Sequence, residues 1–383
     1  MHVKADKYLK HILKGIAPMK FVRVITILAL IFTPCAAFSS SIEALGSLGG
    51  YINSVAAIND SGQVVGSSML AGNQIYHSFI YKNGLMTDLG TFNFGGQSQA
   101  IDINNAGQIV VTINTNSHLL SLIANANGTF AYKPDGYTQY GVSASLFPFS
   151  INNNGVLAGI IPGFVGYTST AGTYTRTSNT GIVSWVSSPA DTGYTVTSSR
   201  AYSINDGGQV VGIYNSDIYM NTIDWHGFLY SNDSSIELGD GVTPKDINNL
   251  GVIIGNYENG QPYLRDSLGN LITLGGNAKL NAINDENQIV GNFGVTLPGE
   301  NTTTQHAFLY QNDRFIDLNS LINDPNWVLV EATDINNNGQ IVGIGFHNGI
   351  KEGFLFNVPE PATMLLLGLG LVSLAGVRRK FQK

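Results

Sequence analysis

Short apolar runs separated by turn-forming residues extend through most of the chain. In "DINNNGQIVG", one run ends at Ile335, a segment of asparagines and a glycine follows, and a second run begins at Ile341. Apolar runs of this length bounded by Asn and Gly are typical of β-strands joined by tight turns. Asparagine bonds to nearby backbone groups and glycine adopts positive φ at low cost. The pattern therefore predicts a strand, a turn and a second strand.

This pattern recurs seven times, at an average spacing of about 46 residues. Each copy contains an Ile-Asn pair followed by a Gly or Asn and a second apolar run. The isoleucines are Ile58, Ile103, Ile151, Ile204, Ile247, Ile283 and Ile335. A regular period of this length is the signature of a repeat architecture, in which each unit packs against the next.

Most units continue with a second segment that also predicts two strands. It reads "HSFIYKNGLMTDLG" from His77, "HGFLYSNDSSIELG" from His226 and "HAFLYQNDRFIDLN" from His306. Alternating apolar residues flank Asn83-Gly84, which is a strong hairpin signal. Four short strands in a unit of this length are the dimension of a β-propeller blade. We predict an all-β, seven-bladed propeller of four-stranded blades over residues 42–357.

The two ends of the repeat region predict how the ring closes. The last unit stops after "GFLFN" (residues 353–357) without a fourth strand, and "IEALGSLGG" (residues 42–50) resembles an isolated fourth strand. Pairing the N-terminal strand with the last blade would leave no open sheet edge. The alternative is an open β-solenoid, which needs capping units at both ends.

The repeats resemble a known family. With "HAF" at residues 306–308 and an "IN…GQ(V/I)VG" core, they are similar to the HAF repeats of probable extracellular proteins. The resemblance covers nearly the whole repeat region and is weakest in the second and third units, where "GTYTRTSNTGIVSW" replaces the usual segment. That family has no established activity to transfer to single residues. The resemblance implies association with exopolysaccharide or biofilm.

The N-terminal residues 1–38 resemble a signal peptide with an extension before Met19. Lys20 and Arg23 precede an apolar stretch over residues 24–32, and small residues follow at 36–37. Cys35 raises a lipoprotein alternative, which the proline before it disfavours. Because Cys35 is the only cysteine, the mature chain would have no disulfide, thiolate zinc site or cysteine nucleophile.

The C-terminal residues 358–383 carry three ordered features: a Pro-Glu-Pro motif, an apolar run over 362–377 and a basic cluster. The residues of the motif and the cluster are Pro359, Glu360, Pro361, Arg378, Arg379 and Lys380. A helix over the apolar run would span roughly 24 Å and predicts a transmembrane segment. The order resembles the PEP-CTERM sorting signal, which implies an exosortase partner, a transient inner-membrane anchor and later location at the cell surface or outside. An ordinary C-terminal anchor is the alternative.

Residues 42–357 contain 24 acidic and 9 basic side chains, a net charge of −15. Such a surface repels nucleic acid and anionic lipid, so we expect no nucleic-acid partner. It could attract divalent cations or basic partners, and solubility alone would also explain its charge. In the last copy Asp334, Asn336 and Asn338 could begin a calcium loop, but position 12 is Gly345 where a bidentate Glu is required. We therefore expect turns and no cofactor, with calcium retained only for this copy.

The histidines His77, His226 and His306 occupy one position of the repeat, and Glu352 occupies it in the last unit. If the three converged on the channel they could bind a metal. The favoured interpretation is a repeated hydrogen bond within each blade.

No catalytic residues are predicted, because neither a G-x-S-x-G elbow nor a phosphate-binding loop is present. Aromatic residues among Ser, Thr and Gly in the divergent units suggest a glycan surface, with Tyr167, Tyr174 and Trp185 as candidate contacts. Cross-strand packing is the alternative role. We expect an exported, non-enzymatic surface or matrix protein. The alternatives are a polysaccharide-degrading enzyme and a calcium-stabilised adhesin.

Overall fold

Each repeat folds into one antiparallel sheet, because its four apolar runs are joined by turns too short for any other connection. The computed structural model describes residues 40–72, 74–115, 119–127, 130–132, 137–138, 141–142, 147–162, 169–177, 180–185, 195–217, 224–296 and 302–358. Within these ranges there are seven four-stranded sheets and one two-stranded sheet. The all-β class and the propeller architecture predicted from the sequence are confirmed.

Strands are numbered β1 to β30 in chain order. The first strand of each blade ends at the repeated isoleucine: β2 (Gly49–Ile58), β6 (Gln97–Ile103), β12 (Phe147–Ile151), β16 (Thr195–Ile204), β20 (Val242–Ile247), β24 (Ala278–Ile283) and β28 (Trp327–Ile335). The second strands follow the Asn turn: β3 (Val64–Leu70), β7 (Gln108–Asn114), β13 (Leu157–Pro162), β17 (Val210–Asp217), β21 (Ile253–Tyr257), β25 (Ile289–Thr296) and β29 (Gln340–His347).

The third strands carry the His-x-Phe-Leu-Tyr segment or its substitute: β4 (Tyr76–Lys82), β8 (Leu119–Asn125), β14 (Ser169–Thr177), β18 (Asp224–Ser231), β22 (Pro262–Arg265), β26 (Thr303–Gln311) and β30 (Ile350–Asn357). The fourth strands are β5 (Leu85–Gly90), β9 (Phe130–Tyr132), β15 (Thr180–Trp185), β19 (Ser234–Asp240), β23 (Leu271–Thr273), β27 (Arg314–Asp317) and β1 (Ser41–Ala44). A short hairpin, β10 (Tyr137–Thr138) with β11 (Gly141–Val142), and a 3₁₀ helix (Leu318–Ser320) complete the described elements.

The ring closes as the sequence predicts. Strand β1 pairs antiparallel with β30, so the first strand of the repeat region is the outer strand of the last blade. Ile42 lies opposite Phe356, and the backbone N–H of Leu45 donates to the carbonyl of Gly353 at 2.9 Å. Pairing residues that are about 310 positions apart covers the edge of β30 and holds the two ends of the ring together.

The hairpin turns also form as predicted. Asn83 and Gly84 have φ values of 51° and 79°, and Asn348 and Gly349 have 52° and 78°. Positive φ at both central residues is the type I′ geometry whose twist matches that of the flanking strands.

The core lies between adjacent blades, since each blade is covered on both faces. The second and third strands therefore read as continuous apolar runs: Val64, Val65 and Phe79 are fully buried. One cluster packs Val65 and Ile80 of the first blade against Ile109 and Leu122 of the second.

In six of the seven described blades, the second strand has a glycine that lies close to the backbone of the first strand. A Cβ atom on Gly212 would lie 1.9 Å from the carbonyl oxygen of Arg200 and 2.9 Å from the ring of Phe228. Gly291 and Gly343 meet the equivalent carbonyls at 1.9 and 2.0 Å. In the second blade the position is Val111, and its partner on the third strand is Leu122 in place of a phenylalanine. A third strand with an aromatic side chain at this position thus pairs with a glycine on the second strand.

The predicted signal peptide, the terminal apolar helices and the sorting residues lie outside the described residues. Among those that are described, no helix has the length and hydropathy to cross a bilayer.

We predict that Gly212→Ala lowers the free energy of unfolding by at least about 2 kcal/mol, because the added methyl must separate two paired strands. Urea denaturation measures this change. Gly275→Ala is the matched control, since a Cβ there meets nothing within 4 Å. Equal stability of the two variants would show that the close approach is unimportant.

Candidate functional site: the central channel

The repeated asparagine links each blade to the next. From its Nδ2 atom, Asn59 donates to the carbonyl oxygen of Asn104 at 3.0 Å, and Asn104 donates to the carbonyl of Asn152 in the same way. The series continues through Asn205, Asn248, Asn284 and Asn336. It closes where Asn336 donates to the carbonyl of Asn59 at 2.9 Å. These seven bonds form a complete ring at one end of the channel, which we call the asparagine ring.

Each amide of the asparagine ring also fixes its own turn. The Oδ1 atom of Asn59 accepts the backbone N–H groups of Ser61 and Gln63, and Nδ2 donates to the side chain of Gln63 at 2.8 Å. The side chain uses both donors and both lone pairs at a site where only 3% of the residue is exposed. Neither Asp nor Gln can reproduce this geometry, which explains why Asn occurs in all seven copies.

The residue after each ring asparagine forms a second ring. The backbone N–H of Asp60 donates to Oδ1 of Asn105 at 2.8 Å, and the last bond runs from Asn337 to Oδ1 of Asp60 at 2.9 Å. The intermediate members, each an Asp or Asn, are Asn153, Asp206, Asn249 and Asp285. The second oxygens of the three aspartates accept from neighbouring amides, as Asp60 does from Asn105 at 2.7 Å. This mouth of the channel is therefore built for cohesion between blades.

We predict that Asn284→Ala destabilises the protein by about 2–4 kcal/mol, since it removes several hydrogen bonds and leaves a buried carbonyl and two N–H groups unpaired. Thermal and urea unfolding would measure the loss. Asn270→Ala is the control, because Asn270 is an exposed turn residue bonded only within its own turn. If the two substitutions cost the same, the ring does not have the stabilising role assigned to it.

The other end of the channel is shaped by a β-bulge in the first strand of every blade. The pairing register shifts by one residue just before the repeated isoleucine, which leaves one residue unpaired in each blade. We call these the bulge residues: Ala56, Ile101, Phe149, Tyr202, Lys245, Asn281 and Thr333. Bulges redirect a side chain away from the regular alternation. All seven bulge residues line a cavity of about 520 Å³.

The cavity has two chemically different sides. Ile101, Phe149 and Tyr202 come from the second, third and fourth blades, and the two rings lie 6.2 Å apart at an angle of 51°. The fifth to seventh blades contribute an ammonium, an amide and a hydroxyl from Lys245, Asn281 and Thr333.

Further polar groups stand on the rim of this cavity. Gln99 donates to the hydroxyl of Ser54 at 3.3 Å. Lys279 pairs with Glu331 at 3.1 Å, and the same carboxylate accepts from Asn281 at 3.1 Å. Amide, hydroxyl, ammonium and carboxylate groups thus surround an aromatic wall.

Three aspartates between the asparagine ring and the cavity bind adjacent blades together. Asp102 accepts the backbone N–H of Ile103 in its own blade and that of Ile151 in the next, each at 2.8 Å. Asp246 bonds in the same way to Ile247 and Ile283. Asp334 bonds to Ile335 and, across the ring closure, to Ile58 at 2.8 Å.

The blades that surround these carboxyls shield them from bulk water. Burial raises the pKa of Asp102 to about 6, although its backbone hydrogen bonds act in the opposite direction. Burial also raises the pKa of Asp246, and that of Asp334 lies well above its ordinary value because of burial and the two other carboxyls. Because each carboxyl holds one backbone N–H on each oxygen, the three residues serve as clamps between blades.

These pKa shifts predict that the protein becomes more stable as the pH falls from 7 to 5. A carboxyl that binds its proton more tightly in the folded chain gives stability that is complete below its ordinary pKa of 3.8 and is lost as the pH rises through about 6. Melting temperatures across this range would measure the effect, and Asp102→Asn should flatten the slope. Asp266→Asn should leave it unchanged, because hydrogen bonds from Asn270 lower the pKa of Asp266. An identical slope in wild type and Asp102→Asn would contradict the assignment.

The histidines form hydrogen bonds within single blades. His77 bonds to Asp88 at 3.0 Å, His226 to Glu237 at 2.9 Å and His306 to Asp317 at 2.8 Å, each joining the third strand to the residues of the fourth. In the last blade Glu352 takes the histidine position and bonds to His347 at 3.0 Å. Within the described part of the chain, no group of three or more His, Cys, Asp or Glu side chains is placed to hold a metal ion.

The residues of the candidate calcium loop face different partners. Both oxygens of Asp334 accept backbone N–H groups, and Oδ1 of Asn336 accepts from Asn338 and Gln340. Asn338 donates its own amide to the carbonyl of Asp60 at 2.7 Å. The three side chains hold a turn and the ring closure, so the turn interpretation accounts for them.

Other predicted site residues lie outside the structural description. Tyr167 and the six sorting residues are not described, and Tyr174 and Trp185 are described only as backbone in β14 and β15. Sequence reasoning did not find the bulge residues. The sequence does contain a signal for them. The residue three positions before each ring asparagine is different in all seven copies, whereas the residues that follow it are similar.

Two family models match the sequence. One is described as "Protein of unknown function (DUF3466)" and matches residues 139–357. The other, the PEP-CTERM protein-sorting motif, matches residues 357–380. No curated protein matches the chain.

Several solved structures are similar in fold. The β-propeller domain of the Trilobed protease from Pyrococcus furiosus, described as having an open velcro topology, is 11% identical with a TM-score of 0.51, over 82% of this chain and 95% of that one. YCF48 bound to D1 peptide is 8% identical, with a TM-score of 0.47, over 85% and 97% of the two chains. Pyrococcus horikoshii acylaminoacyl peptidase is 9% identical, with a TM-score of 0.46, over 78% and 52%. At such identities the comparison shows the fold alone.

Proposed function

Because this chain belongs to the DUF3466 family of proteins of unknown function and ends in a PEP-CTERM sorting motif, we propose that it is a non-enzymatic propeller of the cell surface or extracellular matrix that binds polysaccharide. The sorting motif implies export and processing by an exosortase. The PEP-CTERM tail would anchor the exported protein in the inner membrane until it is processed. The HAF-like repeats and the predicted contacts at Tyr167, Tyr174 and Trp185 remain predictions within this proposal.

One observation supports a binding role over a catalytic one. The three carboxyls deepest in the channel each accept one backbone N–H on each oxygen, and those N–H groups belong to two adjacent blades. Because a backbone N–H occupies each of these oxygens, neither oxygen is left to face a substrate, as a general acid or base must. Clamps of this kind favour a rigid scaffold with a recessed binding surface.

A polysaccharide-degrading enzyme is the second candidate, because the raised pKa of Asp102, about 6, suits a general acid. Incubation of the exported protein with polysaccharides separates the two functions. The binding protein should release no new reducing ends. Release that Asp102→Asn abolishes without unfolding the protein would establish the enzyme.

A calcium-stabilised adhesin is the third candidate. The aspartates of the second ring, including Asp206 and Asp285, already bond to backbone and amide groups of neighbouring blades. Chelator should therefore leave the melting temperature unchanged.

We predict that replacing Pro359, Glu360 and Pro361 together by alanine blocks release, because the processing enzyme no longer recognises the tail. Full-length protein should then accumulate in the inner-membrane fraction, as measured by fractionation and intact mass. The control is Leu268→Ala, an exposed residue of the propeller that should be processed normally. Normal release of the triple variant would refute this route to the surface.

A further inference from the structure

We propose that the seven bulge residues form the ligand-recognition ring of the propeller, and that the cavity they line binds a short stretch of uncharged polysaccharide. This inference rests on the proposed polysaccharide-binding function and assigns it a site and a ligand class.

Repeated and variable positions lie side by side along the first strand of each blade. The ring asparagine is the same in every blade, and the residue two positions before it is limited to Asp, Ser or Ala. The bulge residue, three positions before the ring asparagine, differs in all seven blades. A bulge leaves its residue outside the ladder, so strand pairing places no demand on the side chain, although Asn281 donates to the carbonyl of Ala332 in the next blade. Seven different side chains presented at equivalent positions of one cavity are what a recognition surface requires.

The bulge side chains are arranged with aromatic rings on one side of the cavity and polar groups on the other. Phe149 and Tyr202 stand side by side on consecutive blades, and Phe149 is 38% exposed despite its size. Such a wall suits the apolar C–H face of a pyranose ring. On the later blades, Asn281 donates to Glu331 and to the carbonyl of Ala332, and Thr333 donates to the carbonyl of Val342. Their amide and hydroxyl oxygens can accept hydrogen bonds from sugar hydroxyls. One side of the cavity can stack on a sugar ring, and the other can form hydrogen bonds with its hydroxyl groups.

Charge selects among polysaccharides. The cavity is lined by the carboxyls of Asp102, Asp246, Asp334 and Glu331 and by the ammonium groups of Lys245 and Lys279, and burial raises the pKa of the three aspartates, which reduces their negative charge. The body of the protein, with a net charge of −15 over residues 42–357, repels uronic acids and sulfated sugars. The volume of about 520 Å³ falls within the range of small-ligand sites. A few neutral sugar rings are therefore the ligand class that fits.

The test uses the exported protein with two sets of probes, neutral oligosaccharides such as glucans and matched oligosaccharides of uronic acids. Titration calorimetry should show binding of a neutral probe at least tenfold tighter than that of its acidic counterpart. Phe149→Ala with Tyr202→Ala should weaken neutral binding at least tenfold. The matched control is Phe346→Ala, an exposed aromatic on β29 outside the cavity, which should change affinity less than twofold.

A second variant tests the same site in case the double substitution unfolds the protein. Ala56→Trp adds bulk at the smallest bulge residue and should block neutral binding while the melting temperature stays near that of the wild type. If neutral glycan binds the wild type and both variants equally, the recognition ring is wrong and the proposed function survives. If acidic probes bind as tightly as neutral ones, or the same residues bind peptide and no glycan, the ligand class is overturned. If no probe binds any form, the proposed polysaccharide function fails as well.

Discussion

The bond from each ring asparagine to the carbonyl of the next is the interaction on which the rest of this structure depends. One amide holds its own turn through two backbone N–H groups and spans to the neighbouring blade through Nδ2. The shape of the turn and the placement of the next blade are thus fixed by the same side chain. The seven bonds run in one direction around a closed circle, and the burial of the asparagines limits competition from water.

The remaining contacts between blades follow from this placement. Once the turns are aligned, the next residue along, Asp or Asn, meets the N–H of its neighbour and completes the second ring. The aspartate clamps reinforce three junctions, and one of them, at Asp334, is where the chain ends meet. The outer strand β1 of the last blade runs directly into the inner strand β2 of the first, so this junction has the same covalent link as the others. The noncovalent closure of the ring is the pairing of β1 with β30 inside the last blade.

Much of the fold could be predicted from the sequence, because its determinants are local. The apolar runs, the Asn-Gly hairpins and the orphan strand at residues 42–50 each carry their own signal. The asparagines were recognised as turn residues, but their second role was not, since the carbonyl that Asn59 reaches lies 45 residues away. The bulges were also missed. A bulge is a relation between two strands, and a residue that differs in every copy leaves no pattern. Tyr167, Tyr174 and Trp185 were selected by composition, which gives no position relative to the channel.

Within each first strand, the ring asparagine and the bulge residue are under different evolutionary constraints. Selection for cohesion acts on the asparagine and its neighbour, whereas the unpaired position can vary without loss of strand pairing. Duplication of the DNA that encodes a blade therefore yields a copy that can pack against its neighbours through the repeated asparagine. The same copy adds one variable side chain to the shared cavity. A lineage could exchange its ligand through a handful of substitutions, none of which alters how the circle is built.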